Sequence, residues 1–463
     1  MFEGKFGHRE MDRREKAVLS LTMVTHGMLH VYELSIPLFI TIWHRQFGAS
    51  LATLGTVTAI GFGLFGLGAL PGGALADRIG SKKLIVASLS GMSISFLGLS
   101  IARSVPEVTL ALAAWGISAS VYHPSGLSAI SKEISNRGKG LALHGIAGNV
   151  GIGLGPLATT LLLLAAGWRT VAALLAVPAV AFAIYGFRMS VANPGSNDGS
   201  ETSRDITNYG PDDSDQNDGD QNDGDQNDGD QNDGEINQDT ERNTEDRVSE
   251  SGSGSNRDGV HGFLVNSKVL FSSLFVVVFT VAVFSGLYYR GITTFLPDLL
   301  SGSPNVTDFT FHGLEIKPSR YIYSGLLTVG ILGQYTGGYL SNRLPVEKGI
   351  TVTYGCLGVI TLALILVVNA SLPILLVFTS LLGFFIFVGQ PVYQASVAEY
   401  SPEETRGVSY GYTYLGVFGI GALGAAITGY ILTFSNTTVL FLVLACFAFV
   451  SSASGLYLTL KNR

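Results

Sequence analysis

GGALADRIGSKK, residues 72–83, has a counterpart 265 residues further along the chain, GGYLSNRLPVEK at 337–348. The two align without gaps: Gly72, Gly73, Leu75, Arg78 and Lys83 fall on Gly337, Gly338, Leu340, Arg343 and Lys348. GISASVYHP at 116–124 then matches GFFIFVGQP at 383–391 with an offset of 267, and Arg137-Gly138 matches Arg406-Gly407 with an offset of 269. Any one match is weak. Three in the same order at a nearly constant offset mark a parallel duplication, in which the chain is built as two similar halves.

The material between the matched segments is apolar. Of the 463 residues 47% are hydrophobic and only 14% charged, against about 25% charged in an average soluble domain. Apolar runs of about 20 residues, the length that crosses a bilayer, recur from end to end. Twelve can be marked, near 17–43, 52–76, 84–102, 107–130, 140–165 and 169–191, then near 268–298, 319–341, 349–369, 372–397, 408–433 and 437–460. The pattern predicts an all-α integral membrane protein with twelve transmembrane helices in two six-helix halves, 1–191 and 268–463. The first run follows a charged segment and lacks a small-residue cleavage site near its end, so it is expected to be a retained helix.

The segment 192–267 differs in kind. Residues 195–260 hold 20 acids against four arginines, a net of −16, which leaves +9 for the rest of a chain whose total is −7. Four copies of DQNDG occupy 215–234. With so little apolar content this stretch is expected to be a disordered, solvated linker. Its glycine comes one position too early for a calcium-binding loop. Basic residues in short loops divide sixteen to five in favour of one side, and this bias predicts a plasma-membrane, multi-pass chain with both termini and the linker cytoplasmic.

The motif Gly73-x3-Asp77-Arg78-x-Gly80-x-Lys82-Lys83 resembles the loop between helices two and three of the major facilitator superfamily. The resemblance implies close helix packing at Gly73, an Asp77 that meets a helix N-terminus across the interface between halves, and basic residues that stay cytoplasmic. The second copy carries Asn342 and Arg343, with Pro345 in place of the later glycine. Tyr122-His123-Pro124, Arg137-Gly138, Gly151-x3-Gly155-Pro156, Thr25-His26 and Arg290-x4-Phe295-Leu296-Pro297 resemble fosmidomycin-resistance-type exporters. Leu112 stands where drug antiporters often carry an arginine, and Thr159-Thr160 stand where a glycine pair often follows Gly-Pro. Proton-coupled efflux is what this resemblance implies.

Candidate site residues follow from the cost of polarity inside hydrocarbon. In HGMLHVYE, residues 26–33, His26, His30 and Glu33 sit at i, i+4 and i+7 and share one helix face. Glu33 is the only acid well inside an expected span, a candidate proton carrier, with His26 and His30 extending the path or binding an anion. The alternative is that Glu33 pairs with a charge and locks the helix. Aligning Pro37 with Pro297 puts Arg290 opposite His30 in the repeat, so Arg290 is the expected partner of Glu33, the alternative being a snorkelling arginine. His123 and its repeat mate Gln390 each precede a proline, Pro124 and Pro391, and are expected to form two walls of one pocket. Bonding of the freed backbone carbonyls is the structural alternative. Tyr32, Tyr289 and Tyr393 are candidate aromatic contacts, and His144 is expected at the interface. The glycines of helices two, five and eleven suit close, sliding packing.

No nucleophile–base spacing, phosphate loop or ATP-binding domain is present, and no Cys/His pattern suggests a disulfide framework or a metal site. The expected function is secondary active transport of a small amphipathic or anionic solute, without cofactor or nucleic acid. Protons are the expected coupling ion, the lipid bilayer the surrounding, and a monomer the expected state. An uptake symporter for an organic anion, or a non-transporting receptor or scaffold working through the acidic linker, are the alternatives.

Overall fold

The computed structural model describes residues 11–192, 257–402 and 405–462. The N-terminal half comprises α1 (Arg13–Phe47), α2 (Leu51–Ile79), α3 (Ser81–Ile101), α4 (Val105–Ser120), α5 (Tyr122–Glu133), α6 (Arg137–Ala165) and α7 (Trp168–Ala192). The C-terminal half comprises α9 (Phe275–Ser301), α10 (Pro318–Ser341), α11 (Val346–Val367), α12 (Leu372–Tyr400), α13 (Arg406–Tyr414), a π-helical turn (Leu415–Ile420), α14 (Leu423–Phe434) and α15 (Thr437–Lys461). Because α4 with α5, and α13 with α14, each make one broken span, this is the twelve-helix, two-half fold. Among the described residues, ten spans are long and apolar enough to cross a membrane. The remaining two, α1 and α10, have 35 and 24 residues.

Local signals account for the helix ends. Asp12 and Glu15 form a capping box at the start of α1, where each side chain satisfies a backbone N–H that the helix leaves free. Gly48 ends α1 with φ 60°, a left-handed value that glycine adopts at little cost. The α4–α5 break falls at Val121, and Pro124 has no N–H to offer the Ser120 carbonyl. Pro391 lies inside the continuous α12, so the two repeats differ at this point.

One expectation needs correction. Residues 257–267, assigned to the linker, belong to a helix, α8 (Arg257–Phe271). Leu270, near its C-terminal end, packs with Phe275, Val278 and Val397 in a small core of its own. The DQNDG copies lie outside the described residues. The fold also holds a β-hairpin, β1 (Phe309–Phe311) and β2 (Leu314–Ile316), paired antiparallel with Thr310 opposite Glu315. His312 and Gly313 form its turn with φ values of 48° and 79°, the two positive φ angles of a tight two-residue hairpin. The hairpin marks one end of the bundle, here the hairpin end. The Gly80 and Pro345 loops mark the other, the basic end.

Glycines set how closely the halves approach. An added Cβ at Gly66 would lie 2.0 Å from the Gly419 nitrogen, and one at Gly55 would lie 2.5 Å from the Ala425 carbonyl oxygen. Helix α2 therefore touches the π-helical turn and α14 backbone to backbone, as small residues allow. Nearer the hairpin end, Thr433 Oγ1 accepts from the Ala52 N–H at 2.8 Å. Opposite them, Thr328 of α10 donates to the Gly153 carbonyl of α6 at 3.3 Å. Toward the basic end the halves part around a cavity of about 480 Å³ lined by Ala69, Pro124, Tyr393, Tyr414 and Phe418.

Candidate functional site

Where α1, α5, α6 and α9 converge, a line of polar side chains crosses the apolar core. Helix geometry places His26, His30 and Glu33 on one face of α1. Glu33 Oε2 accepts from His30 Nδ1 at 2.7 Å, and Glu33 Oε1 accepts from Arg290 Nη2 at 2.5 Å. The second bond joins the two halves. Glu33 is 2% exposed and Arg290 1%, so both charges are desolvated and their neutralisation is mutual. Arg290 also lies 3.9 Å over the Phe62 ring and within 5.6 Å of Phe418, contacts that favour a cation against aromatic faces. Its Nε has no hydrogen-bond partner among the described residues.

The histidines continue the line toward the basic end. His30 Nε2 stands 3.2 Å from His26 Nε2, and His26 Nδ1 meets the His144 carbonyl at 2.8 Å. His144 is buried; its ring stacks on His26 at 4.0 Å, and its Nε2 is 3.0 Å from the Tyr122 hydroxyl. This corrects the interfacial placement expected for His144. His123 meets the His26 ring edge-on at 5.2 Å and stacks against Tyr414 of the other half at 5.8 Å.

Close packing of α6 on α1 positions this cluster. An added Cβ at Gly148 would lie 2.4 Å from His26 Cε1, and at Gly151 and Gly155 it would meet Gly27 and Val31. Glycine at 148 makes the floor on which the His26 ring rests. Of the residues given no place in this cluster by the sequence, Tyr122 stands in the Tyr122-His123-Pro124 motif and Gly148 in the α6 glycine series, while His144 has no such signal.

The other candidates fall elsewhere. Tyr32 is fully buried, its ring 4.0 Å from Phe96 and its hydroxyl bonded to the Leu175 carbonyl. At 3.6 residues per turn it sits roughly a third of a turn from the His26–Glu33 face, and so packs inside the N-terminal half rather than beside the site. Tyr393 lines the basic-end cavity. Among the described residues, no hydrogen bond or ring contact joins Gln390, half-buried on the unbroken α12, to His123. Asp77 bonds to Lys132 of its own half at 3.0 Å, both side chains being exposed, rather than to a helix N-terminus across the interface. Lys82 reaches Glu133 at 3.1 Å. Gly80 takes φ 95° between α2 and α3, a conformation that requires glycine. Arg343 lies over Tyr339, and Asn342 caps back onto the Gly338 carbonyl. Pro156 lies inside α6.

The arrangement of two six-helix bundles agrees with what family comparison finds. The family model for the Major Facilitator Superfamily matches residues 21–423 and 278–463. The chain belongs to this superfamily. The curated relatives that it matches are named as transporters. Similar curated proteins include a gallate transporter of Pseudomonas putida, 29% identical over 129 residues. An uncharacterised MFS-type transporter of Mycobacterium tuberculosis is 36% identical over 120 residues. These matches cover 27% and 23% of this chain and 29% of each relative, so the chain matches less than a third of the length of these relatives.

Solved structures with this superfamily fold align over nearly the whole chain. A peptide transporter in complex with sulfate gives a TM-score of 0.69 at 12% identity, covering 99% of this chain and 96% of that one. A nucleoside transporter gives 0.68 at 10%, covering 95% and 99%. A bacterial homologue of the lysosomal transporter Spinster gives 0.62 at 16%, covering 97% and 99%. At these identities the likeness is one of fold.

Proposed function

We propose that this superfamily member moves a small organic anion across the plasma membrane by alternating access, driven by protons in the direction of efflux. Both termini are cytoplasmic in this reading, the halves 1–191 and 268–463 rock about the interface, and a monomer suffices. The observation that carries it is the Glu33–Arg290 bond. It is the one charge pair that ties the halves together at the buried centre among the described residues, and its cation is the natural counter-ion for an anionic solute.

The exchange needs no covalent chemistry. A proton received on the second ring nitrogen of His30, as its Nδ1 proton passes to Glu33 Oε2, leaves the carboxyl neutral and weakens its hold on Arg290, so the halves are free to part on the hairpin side. A solute carboxylate or phosphonate and the ionised Glu33 compete for the guanidinium, and the return of Glu33 expels the anion. Guanidinium suits this role because it stays charged and presents several donors in one plane. The gallate transporter among the relatives carries a small aromatic carboxylate by name, and the resemblance of short motifs to fosmidomycin-resistance-type exporters suggests a small phosphonate; both are organic anions.

Inverted membrane vesicles with an inside-acid gradient test this, with gallate and fosmidomycin as probes. Wild type accumulates at least one of them, the gradient is required, and Glu33→Gln abolishes the gradient dependence. Accumulation that ignores the gradient, or that survives Glu33→Gln intact, refutes the coupling role. Deletion of 195–260 leaves transport in place, whereas a scaffold working through the linker would lose its role.

A further inference from the structure

The contact between His26 and His30 poses a problem of lone pairs. A backbone carbonyl only accepts, so His26 Nδ1, 2.8 Å from the His144 carbonyl, carries a proton. An ionised carboxylate likewise only accepts, so His30 Nδ1, 2.7 Å from Glu33, carries one too. In two neutral rings both Nε2 atoms are then bare, and they face each other at 3.2 Å. With Glu33 ionised and paired with Arg290, such a contact holds only with a cation between the nitrogens. It is either a second proton, making one ring an imidazolium, or a metal ion.

A third nitrogen completes the arrangement. One ring nitrogen from each of His26, His30 and His123 lies within 4.8 Å of the others. The His123 ring touches Phe65, Tyr122 and Tyr414, and no described residue exchanges a hydrogen bond with it. It therefore has a free nitrogen next to the other two. From these observations we infer that His26, His30 and His123 form a three-imidazole site for a divalent transition-metal ion of the zinc class, a site that the sequence analysis did not anticipate.

Four features of the geometry agree. A tetrahedral ion bound to imidazole at about 2.0–2.1 Å holds its ligand nitrogens about 3.3 Å apart, close to the His26–His30 spacing. Each of these two ligands has its Nδ1–H fixed by an acceptor, the carbonyl of His144 for one and the carboxylate of Glu33 for the other. Ligating histidines are oriented by partners of this kind, which also raise their basicity. His144 stacks on His26 and bonds to Tyr122, so it supports the site and is not a ligand. Arg290 is on the far side of Glu33, bonded to the other carboxylate oxygen, so its charge is screened from the metal by the anion between them. Nitrogen donors without thiolate select zinc, cobalt, nickel or copper over magnesium and calcium. Three ligands leave a fourth position for water or for an anionic group of the solute. Binding the ion releases whatever second proton the Nε2 pair holds.

Full-length protein purified without a histidine tag and stripped with chelator tests the site. Titration with Co²⁺ is expected to give the visible absorption of a tetrahedral nitrogen site, saturating at one ion per chain, with zinc displacing cobalt and magnesium failing to. His123→Ala, which removes a half-buried ligand, lowers the affinity at least about tenfold. His26→Ala does the same, while His44→Gln at the hairpin end leaves it unchanged. No stoichiometric ion in the wild type, or equal binding by the wild type and both ligand variants, overturns the inference. The readout does not involve transport, so the site can fail while the transport reading stands, and the reverse.

Discussion

Removing either partner of the central ion pair should loosen the hairpin side of the molecule, and the two removals should not cost the same. In Glu33→Gln, Arg290 keeps only the faces of Phe62, Tyr289 and Phe418 and is left as a buried, uncompensated charge. Breaking a buried pair in this way costs about 3–5 kcal/mol. In Arg290→Gln, Glu33 keeps its bond from His30 Nδ1, and the loss is closer to that of one charged hydrogen bond, about 1.5–3 kcal/mol. The double variant removes both charges and should cost less than the sum of the singles. At about 1.4 kcal/mol per tenfold, Glu33→Gln can shift the balance between closed and open hairpin sides by roughly two to three and a half orders of magnitude. The assay is a distance distribution between spin labels on the exposed Thr53→Cys and Ser435→Cys, with Cys356 and Cys446 replaced. The expected order of the long-distance population is wild type, then Arg290→Gln, then Glu33→Gln. A double-mutant cycle with additive single effects would refute the coupling, and so would an Arg290→Gln effect larger than that of Glu33→Gln.

Gly148→Ala places a methyl group 2.4 Å from His26 Cε1; such overpacking costs about 1–3 kcal/mol. A lower unfolding midpoint and weaker cobalt binding are expected together, and a variant with wild-type cobalt affinity would show that Gly148 does not position His26. The hairpin should respond to acid. Lys317 hydrogen-bonds Glu315 at 2.9 Å, and its bond and charge hold that carboxyl below the usual range. A carboxylate with a lowered value stabilises the fold above its unfolded pKa of about 4.3 and loses that contribution as pH falls through the lowered value. Amide exchange in residues 309–316 should therefore be flat from neutral pH to about 5 and show loss of protection only in stronger acid; protection lost already near pH 6 would contradict the pairing.

Much of the fold was legible because membrane solvation is a blunt constraint. Every span must satisfy its own backbone, so hydropathy alone marked the segments and three short matches revealed the duplication. Helix periodicity likewise put His26, His30 and Glu33 on one face, since that needs only 3.6 residues per turn. Tyr32 was misplaced because its neighbours were considered without its angle on the same helix. Gln390 was paired with His123 by repeat symmetry, yet Pro124 breaks its helix and Pro391 does not. Identical dipeptide patterns do not dictate identical backbone paths when the packing around them differs.

Composition and periodicity thus determined a two-half, twelve-helix membrane bundle with an intramembrane acid on its first helix. Only tertiary structure decided which charge meets that acid and which rings stand beside it. His123 and His144 come within reach of His26 through the packing of α5 and α6 on α1, across more than ninety residues of chain. Arg290 comes within reach through the backbone contacts of glycines in the other half. Contacts of that range depend on where whole helices sit, to within an ångström, and no local pattern encodes it.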